Sequence, residues 1–490
     1  MGDTAPIAST DGEHVDVVIV GAGLSGVSAA AHLLRHAPGT SFLLLEARDR
    51  VGGTWDLFRY PGVRSDSDMH TLGYAFRPWT GAQALADGPA IRAYIEDTVH
   101  DLGLGPVIRH GHRLLRADWS SADARWSLTV AHAGTEKRLT CRVLDFCSGY
   151  YRYDQGHRPS WPGEDAFRGR IVHPQHWPAD LDHRGRRVAV IGSGATAVTL
   201  VPAMAATAAH VTMVQRSPSY VMSLPAVDGV AAALRRWLPE RLAYRLVRAK
   251  NVALATFFFR VSRRRPKQVR RWLLRQVAKA LPEGYDVARH FGPRYGPWDQ
   301  RLCLVPDGDL FDAIGSGRAS VVTGSIAQFT PDGLRMDGGE EVAADIVVTA
   351  TGLELQMLGG VVLTVDGRRV EPSESLLYKS LMVADVPNLV LTFGYTNASW
   401  TLKADLTARW LCRLVNELDR QHARYAVARR DPAVQEVAFL DFSSGYVMRA
   451  ADRLPKQGDR DPWRARQNYL RDLVDLRWRA LDDGTLRFER

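Results

Sequence analysis

The sequence predicts an α/β fold in two halves, because one succession of elements occurs twice along its 490 residues. In each occurrence a β-branched strand leads into a glycine-rich loop, a helix rich in Ala and Leu, and a second apolar strand. The first strand begins at Val15 and its counterpart begins at Arg187. This is the order of a Rossmann-like unit that binds a dinucleotide, so we expect two such domains.

The first glycine-rich loop has the sequence Gly21-Ala-Gly23-Leu-Ser-Gly26. Its glycines allow a tight turn and let a pyrophosphate approach the N-terminus of the helix. Glu46 closes the next strand, where a carboxylate can accept hydrogen bonds from both hydroxyls of an unphosphorylated ribose. We therefore expect these three glycines and Glu46 to bind FAD or NAD.

A second motif follows directly and extends from Gly52 to Asp66. Adjacent glycines let backbone N–H groups approach a flavin, and the ring of Trp55 offers a flat surface against it. This motif resembles the flavin-proximal motif of flavoprotein monooxygenases, and the resemblance implies that Gly53, Thr54, Trp55 and Asp66 lie at the flavin of an FAD-binding first domain.

The second glycine-rich loop has the sequence Gly192-Ser-Gly194-Ala-Thr-Ala, with Ala in place of the third glycine. The strand after it ends in Arg216 and carries no acid there. A guanidinium can hold a 2′-phosphate that a carboxylate would repel. We therefore expect NADPH at this loop, bound by Gly192, Gly194, Ala195, Thr196 and Arg216.

Between the two units lies a run with every fixed position of the pattern F-x-G-x-x-x-H-x-x-x-W-[P/D], namely Phe167, Gly169, His173, Trp177 and Pro178. Two dinucleotide loops alone leave reductases, dehydrogenases and oxygenases open. The run resembles the fingerprint of type I Baeyer-Villiger monooxygenases, and the motif after the first loop is similar to a second signature of that family. The later segments are similar to the subgroup that contains the ethionamide-activating monooxygenase. We expect His173 and Trp177 to act in domain coupling and not in proton transfer, because residues of a linker between the domains have no evident reach to the flavin.

This resemblance implies an enzyme in which NADPH reduces FAD and O2 adds to the flavin C4a atom as a peroxide. The segment that ends in Arg301 is similar to the one that carries the family's active-site arginine, so Arg301 is the implied catalytic cation and Asp66 would orient it. The family often has Lys where Gln300 stands, which leaves the strictness of NADPH over NADH open. Asn397 opens the last long helix, where the family binds the flavin.

Three functions remain open. The first is insertion of oxygen beside the carbonyl of a ketone, which gives an ester or a lactone. The second is S- or N-oxygenation of a small molecule such as a sulfide, which the resembled subgroup supports on the same scaffold. The third is a noncatalytic flavin-binding module that associates with membranes.

The composition narrows the range of expected binding partners. The net charge is +9, carried by 56 Arg and only 7 Lys, and no nucleic-acid-binding motif accompanies it, so we expect no nucleic acid partner and a surface that favours anionic cofactors. The four cysteines show no metal-binding or dithiol spacing, which favours a reduced, cytoplasmic setting without a metal site. The N-terminus shows neither an export signal nor a lipid-anchor motif.

The motifs divide the chain into a flexible N-terminus (1–14), a first part of the FAD-binding domain (15–145), an NADPH-binding domain (146–385), and a second part of the FAD-binding domain with a C-terminal wrap (386–490). Residues 227–281 are rich in Arg and Leu and predict basic amphipathic helices inserted in the second domain. These helices are either a solvated or dimerising face or a peripheral contact to an anionic membrane. The sequence alone indicates no oligomeric state.

Overall fold

The computed structural model describes residues 12–440 and 442–490, and it confirms the expected fold class of two Rossmann-like domains. Most of the predicted flexible N-terminus, residues 1–11, lies outside the described residues. The first strand begins at Glu13, two residues before the expected domain start. It begins there because Glu13 and His14 pair with Leu139 and Thr140 of a neighbouring strand.

The first sheet combines a parallel core with a mostly antiparallel arm. Its strands are β1 (Glu13–Val20), β2 (Phe42–Leu45), β3 (Ile108–Arg109), β4 (Arg113–Ser120), β5 (Arg125–His132), β6 (Thr135–Phe146), β19 (Val362–Val365), β20 (Arg368–Val370) and β23 (Leu389–Leu391). The parallel core has the order β3-β2-β1-β6-β23, and the arm continues from β6 through β5, β4 and β19 to β20. The core strands are almost continuously apolar because helices or the arm cover both of their faces.

The second sheet is wholly parallel and has five strands in the order β13-β10-β9-β17-β8. These are β8 (Arg170–Val172), β9 (Arg187–Ile191), β10 (His210–Gln215), β13 (Ala319–Thr323) and β17 (Ile346–Thr349). A three-stranded antiparallel sheet accompanies it, made of β14 (Ile326–Thr330), β15 (Gly333–Met336) and β16 (Glu341–Ala343).

Five further two-stranded sheets connect or extend these layers. They are β7 (Tyr151–Gly156) with β18 (Leu353–Leu355), β11 (Val221–Leu224) with β12 (Cys303–Pro306), β21 (Leu377–Tyr378) with β22 (Met382–Val383), β24 (Tyr425–Ala428) with β27 (Leu486–Glu489), and β25 (Glu436–Ala438) with β26 (Lys456–Gly458). The pair β7 and β18 carries the chain from the first sheet to the second and back, so the two domains are joined by adjacent antiparallel strands.

The helices cover the sheets and form the insertion. They are α1 (Leu24–His36), α2 (Thr54–Leu57), α3 (Met69–Leu72), α4 (Gly88–Asp101), α5 (Ala195–Ala205), α6 (Gly229–Trp237), α7 (Glu240–Arg264), α8 (Pro266–Ala280), α9 (Val287–Phe291), α10 (Asp309–Gly315), α11 (Trp400–Arg420), α12 (Gly445–Met448) and α13 (Tyr469–Arg477). The helices α1 and α5 follow the two glycine-rich loops, as the sequence predicts.

The return to the first sheet occurs earlier than expected. We expected it at residue 386, but β19 already pairs in parallel with β4 from Val362 onward. The short strands β19 and β20 escape sequence analysis because four apolar or β-branched residues in a row do not distinguish an edge strand from a loop. Residues 362–370 therefore belong with the first sheet.

The helical insertion lies between β11 and β12 of the second half, yet α7 docks on the first. The buried guanidinium of Arg248 donates hydrogen bonds to the carbonyl oxygens of His70 (2.8 Å), Thr71 (3.2 Å) and Gly73 (2.7 Å). It also lies 3.4 Å from the carboxylate of Asp405 on α11. Arg248 thus helps to fix the insertion to the first half, together with Tyr244, which donates a hydrogen bond to the carbonyl oxygen of Tyr74.

The C-terminal segment is more than a wrap over the surface. Trp463 is fully buried against Tyr378, and the carboxylate of Asp472 on α13 accepts hydrogen bonds from Tyr395 and Lys403, each at 2.7 Å. A polar composition suggested a surface role, but these few apolar and paired residues insert into the core of the first domain.

One buried acid gives the fold a distinctive pH dependence. Asp145 lies on β6 among apolar strands, and its one side-chain hydrogen bond within the described residues comes from the thiol of Cys147, 3.5 Å away. Burial raises the pKa of Asp145 from 3.8 to about 7, while the Cys147 hydrogen bond opposes the rise. Between those two values the unfolded chain carries the charge and the folded chain does not, so folding becomes less favourable as the pH rises.

We therefore expect Asp145→Asn to flatten this dependence. The wild-type protein should lose up to about 1.4 kcal/mol of unfolding free energy per pH unit between roughly pH 4 and 7 through this group. Denaturant unfolding of both proteins at pH 5 and pH 8 measures the effect. If the difference in stability between the two proteins is the same at both pH values, Asp145 is not protonated in the folded state.

Candidate active site

A cavity of about 520 Å³ lies between the two sheets and receives residues from both glycine-rich loops. Most of the expected site residues line it, which brings together positions far apart in sequence. They are Gly21, Gly23, Glu46, Gly53, Thr54, Trp55, Asp66, Ala195, Thr196 and Arg301. Five other expected residues, Gly26, Gly192, Gly194, Arg216 and Asn397, do not line it among the described residues.

The first loop requires glycine for reasons of space. A Cβ atom on Gly21 would lie 2.8 Å from the carbonyl oxygen of Cys147, and one on Gly26 would lie 1.8 Å from the carbonyl oxygen of Gly21. A Cβ on Gly53 would come within 3.1 Å of the Cα of Gly23, so the two glycine motifs touch. Gly23 caps α1 without a side-chain hydrogen bond in the described structure, which leaves first-turn N–H groups for a pyrophosphate.

Glu46 directly follows β2 and lies beside this loop. Its buried carboxylate accepts hydrogen bonds from the backbone N–H of Ala22 (2.8 Å) and of Arg48 (2.9 Å). Burial raises the pKa of Glu46, and those two N–H groups oppose the rise. Each carboxylate oxygen keeps a lone pair for a ribose hydroxyl, so the residue fits the predicted role.

The second loop has the same construction. Gly192 has a φ of +144°, and a Cβ there would lie 2.3 Å from the carbonyl oxygen of Ala350. Gly194 caps α5, and a Cβ there would meet no atom within 4 Å, so open space lies in front of this helix N-terminus. Ala197 takes the third glycine position and is fully buried. The loop fits a second dinucleotide.

The flavin-proximal motif also contacts the second domain. The hydroxyl of Tyr60 is hydrogen-bonded to Thr196 on α5, and burial raises the pKa of Tyr60 to about 12 while that hydrogen bond opposes the rise. A Cβ on Gly62 would lie 2.6 Å from the side chain of Ala203 on the same helix. This close packing is what places both loops on one cavity.

Arg301 and Asp66 form the charged centre of the cavity. One guanidinium nitrogen of Arg301 lies 2.9 Å from Asp66 Oδ1, and Nε lies 2.6 Å from Oδ2, so the pair is bidentate. Burial alone would lower the pKa of Arg301, but the Asp66 carboxylate and the surrounding tyrosines raise it above its ordinary value. The guanidinium is therefore a permanent positive charge that joins the two domains.

Aromatic residues that the sequence did not identify surround this charge. The hydroxyls of Tyr150 and Tyr151 are 2.9 Å apart, and burial raises the pKa of both and of Tyr446 well above the ordinary value. Tyr150 stacks on Trp400 with ring centroids 5.1 Å apart, and Trp400 donates a hydrogen bond to Ser25 on α1. The sequence signal that could have identified them is the pair of tyrosines, Tyr150 and Tyr151, that follows strand β6.

The fingerprint run lies at the junction of the domains and away from the cavity. Phe167 packs edge-on against Phe329 of the second domain, and a Cβ on Gly169 would lie 2.2 Å from the carbonyl oxygen of Asp345. Trp177 packs against the second core, and the carbonyl of Pro178 accepts a turn hydrogen bond from Leu181.

His173 lies against the connecting strands. Its Nε2 is 3.3 Å from the carbonyl oxygen of Gly352, and a Cβ on Gly156 would lie 2.0 Å from the imidazole ring. Gln175, which occupies a variable position of the pattern and was not predicted, donates hydrogen bonds to the carbonyls of Arg152 (2.8 Å) and Tyr153 (3.0 Å). These contacts are consistent with the expected role in domain coupling.

Asn397 does not face the cavity, contrary to expectation. Its amide donates a hydrogen bond to the carbonyl of Gln467, 3.0 Å away, because the C-terminal segment folds over this turn. The neighbouring Ala398 and Trp400 line the cavity in its place. Residues of the expected segment therefore line the cavity, although Asn397 does not.

Arg216 lies exposed at the end of β10, beside the second loop. A second arginine, Arg449, reaches the same region from the C-terminal segment, and its guanidinium would lie 3.2 Å from a Cβ on Gly352. Partial burial lowers the pKa of Arg449, Glu354 opposes this, and the charge of Arg216 adds to it. Two neighbouring guanidinium groups suit a 2′-phosphate.

Two loops that fit FAD and NADPH, opening on one cavity with a fixed positive charge, define an NADPH-dependent flavoprotein monooxygenase. The chain belongs to the flavin-binding monooxygenase-like family, whose model matches residues 113–427, and a model of an NAD(P)-binding Rossmann-like domain matches residues 19–87.

Comparisons with known proteins support the same family. The chain is 53% identical over 478 residues to the FAD-containing monooxygenase EthA of Mycobacterium tuberculosis, an alignment that covers 97% of this chain and 98% of the relative. An oxidized steroid monooxygenase bound to NADP superposes with a TM-score of 0.71 at 22% identity over 86% of this chain and 88% of that one. An open structure of cyclohexanone monooxygenase gives 0.72 at 20% identity over 86% and 90%. The predicted resemblance is confirmed.

We expect Arg216→Ala and Arg449→Ala each to raise the KM for NADPH about tenfold, the effect of one charge-assisted hydrogen bond. The KM for NADH, which lacks the 2′-phosphate, should change little. Arg318→Ala is the control, because Arg318 is also exposed but precedes β13, at the amino ends of the parallel strands and not at the carboxyl ends where Arg216 lies. Equal losses for both cofactors would assign these arginines to the fold.

Proposed function

We propose that the protein converts a ketone into an ester or a lactone by inserting one oxygen atom of O2 beside the carbonyl carbon. The balanced reaction takes up ketone, O2, NADPH and one proton, and releases ester, NADP+ and water. FAD, when bound, passes the two electrons of NADPH to O2. The chain's own contribution is to hold both cofactors on one cavity and to control the charge there.

The observation that carries this proposal is the bidentate pair of Arg301 and Asp66 in the cavity between the two loops. Attack on a carbonyl carbon places negative charge first on the attacking oxygen and then on the former carbonyl oxygen. A guanidinium that stays protonated stabilises that charge, and Asp66 fixes its plane without removing its proton. The pair thus acts as a preorganised electrostatic site.

The tyrosines around the pair support the same reaction. Because burial raises the pKa values of Tyr150, Tyr151 and Tyr446, their hydroxyls remain neutral and are poor proton donors. They can donate hydrogen bonds to an oxygen anion without protonating it. An unprotonated oxygen is nucleophilic, which favours a ketone as the acceptor.

Oxygenation of a sulfur or nitrogen atom is the second candidate. Tyr150, Phe393, Trp400 and Tyr446 make the wall beside Arg301 largely aromatic, and a polarisable sulfur atom packs well against aromatic rings. This reaction needs a protonated, electrophilic oxygen, so the same charge that assists attack on a ketone would assist it less.

We expect Arg301→Ala to separate reduction from oxygenation. NADPH should still reduce the flavin at the wild-type rate, whereas ester formation should fall by a factor on the order of 10² to 10³, the effect of losing one preorganised donor. The electrons of the consumed NADPH should then be recovered in hydrogen peroxide. Anaerobic stopped-flow absorbance measures the reduction, and product and peroxide assays measure the rest.

Arg301→Lys is the matched control, because it keeps the charge but not the bidentate geometry, and it should retain part of the activity. Asp66→Asn keeps the size of the side chain and should lower ester formation by misorienting Arg301. A variant Arg301→Ala that forms ester at the wild-type rate would exclude the proposed role.

The choice between ketone and sulfide should depend on pH. Raising the pH removes protons from the reactive oxygen, so the ratio of ester to sulfoxide should increase from pH 6 to pH 9. If a single ionisation controls this ratio, the ratio should change by up to about tenfold per pH unit. An apolar ketone and a sulfide of matched size, assayed in competition, measure this ratio. Sulfoxide formation without ester across the range would favour the second candidate.

A further inference from the structure

The outer face of α7 is apolar and uncovered. Leu242, Leu246 and Phe257 are 45%, 45% and 67% exposed, and they fall at helical spacing along one stripe with Ala249 and Ala253 between them. The opposite face of α7 holds the buried contacts to the first domain, so the stripe points away from the protein. No partner within the described residues covers these side chains.

Two large aromatic side chains are exposed on the helices next to α7 in the chain. Trp237 at the end of α6, just before α7, is 83% exposed, and Trp272 on α8 contacts Phe258 of α7 from the next helix. Exposed apolar groups of this size on a monomeric surface mark a binding site when they are contiguous. We call the stripe on α7 together with Trp237 the helical face.

Basic residues border the helical face. Residues 227–281 contain 12 Arg and 3 Lys but only two acids, Asp228 and Glu240, a net charge of +13, whereas the whole chain carries +9. The remainder of the chain is therefore net negative by four, and the positive charge of this protein is concentrated in one segment. Exposed Arg241 and Arg245 flank the stripe, and Arg260 and Arg264 continue it.

We propose that the helical face docks the protein on the surface of an anionic lipid bilayer. Leucine and phenylalanine would enter the acyl boundary, tryptophan would lie at the headgroups, and the arginines would contact lipid phosphates. No described helix is long and apolar enough to cross a membrane, so α7 would lie in the plane of the surface.

Two other kinds of partner fit the helical face less well. A second copy of the chain would bring two strongly positive faces together, and their charges would repel. A nucleic acid would satisfy the arginines but would leave Leu242, Leu246 and Phe257 against phosphates, where burial of apolar surface gains nothing. An anionic bilayer matches both the charge and the apolar stripe.

Cosedimentation of the FAD-loaded full-length protein with vesicles tests the proposal. We expect binding to vesicles of equal parts phosphatidylcholine and phosphatidylglycerol, little binding to phosphatidylcholine alone, and weaker binding as salt increases. The double variant Trp237→Ser, Phe257→Ser should bind the mixed vesicles at least about tenfold more weakly, since it removes two apolar anchors. Its NADPH-dependent turnover should equal that of the wild type, which excludes misfolding.

Trp478→Ser is the matched control, because Trp478 is 62% exposed but lies directly after α13, outside the helical face. This variant should bind vesicles as the wild type does. Three results would overturn the proposal: no binding to mixed vesicles, equal binding by the double variant, or a wild-type dimer that the double variant dissociates. Tighter binding to a DNA duplex than to vesicles, unchanged in the double variant, would assign the arginines to nucleic acid.

Discussion

The bidentate ion pair between Arg301 and Asp66 joins the two nucleotide-binding domains inside the cavity that they share. Asp66 ends the flavin-proximal motif of the first domain, and Arg301 precedes β12, whose residues pack in the core of the second. The two side chains are 31% and 34% exposed, and their bidentate geometry forms only when the domains are correctly placed. The arrangement of both loops is therefore coupled to one electrostatic contact.

The close approach of the domains also determines which residues must be small. Gly62 of the first domain faces Ala203 of the second, and Gly156 on the connecting strand β7 faces the ring of His173, each at a distance that excludes a Cβ. A larger residue at either position would push these contacts apart. Gly62 of the flavin-proximal motif thus serves domain contact.

The fold class and the two loops could be predicted from sequence because the strand, loop and helix order is local. Arg301, Asp66 and Glu46 lie on the cavity as expected, since motif position determines where a strand or a loop ends. Asn397 and the tyrosines could not be assigned, because their orientation depends on the C-terminal segment and on β7, which are distant in sequence. The return of the chain at Val362 was missed because β19 is too short to show a period.

The crossing strands β7 and β18 have a mechanical consequence. The chain passes between the domains at one place, in two adjacent antiparallel strands that Gln175 and His173 hold from the second domain. Such a connection keeps the covalent link between the domains short. Because Arg301 and Asp66 belong to different domains, a motion that separates these two residues must also break their ion pair.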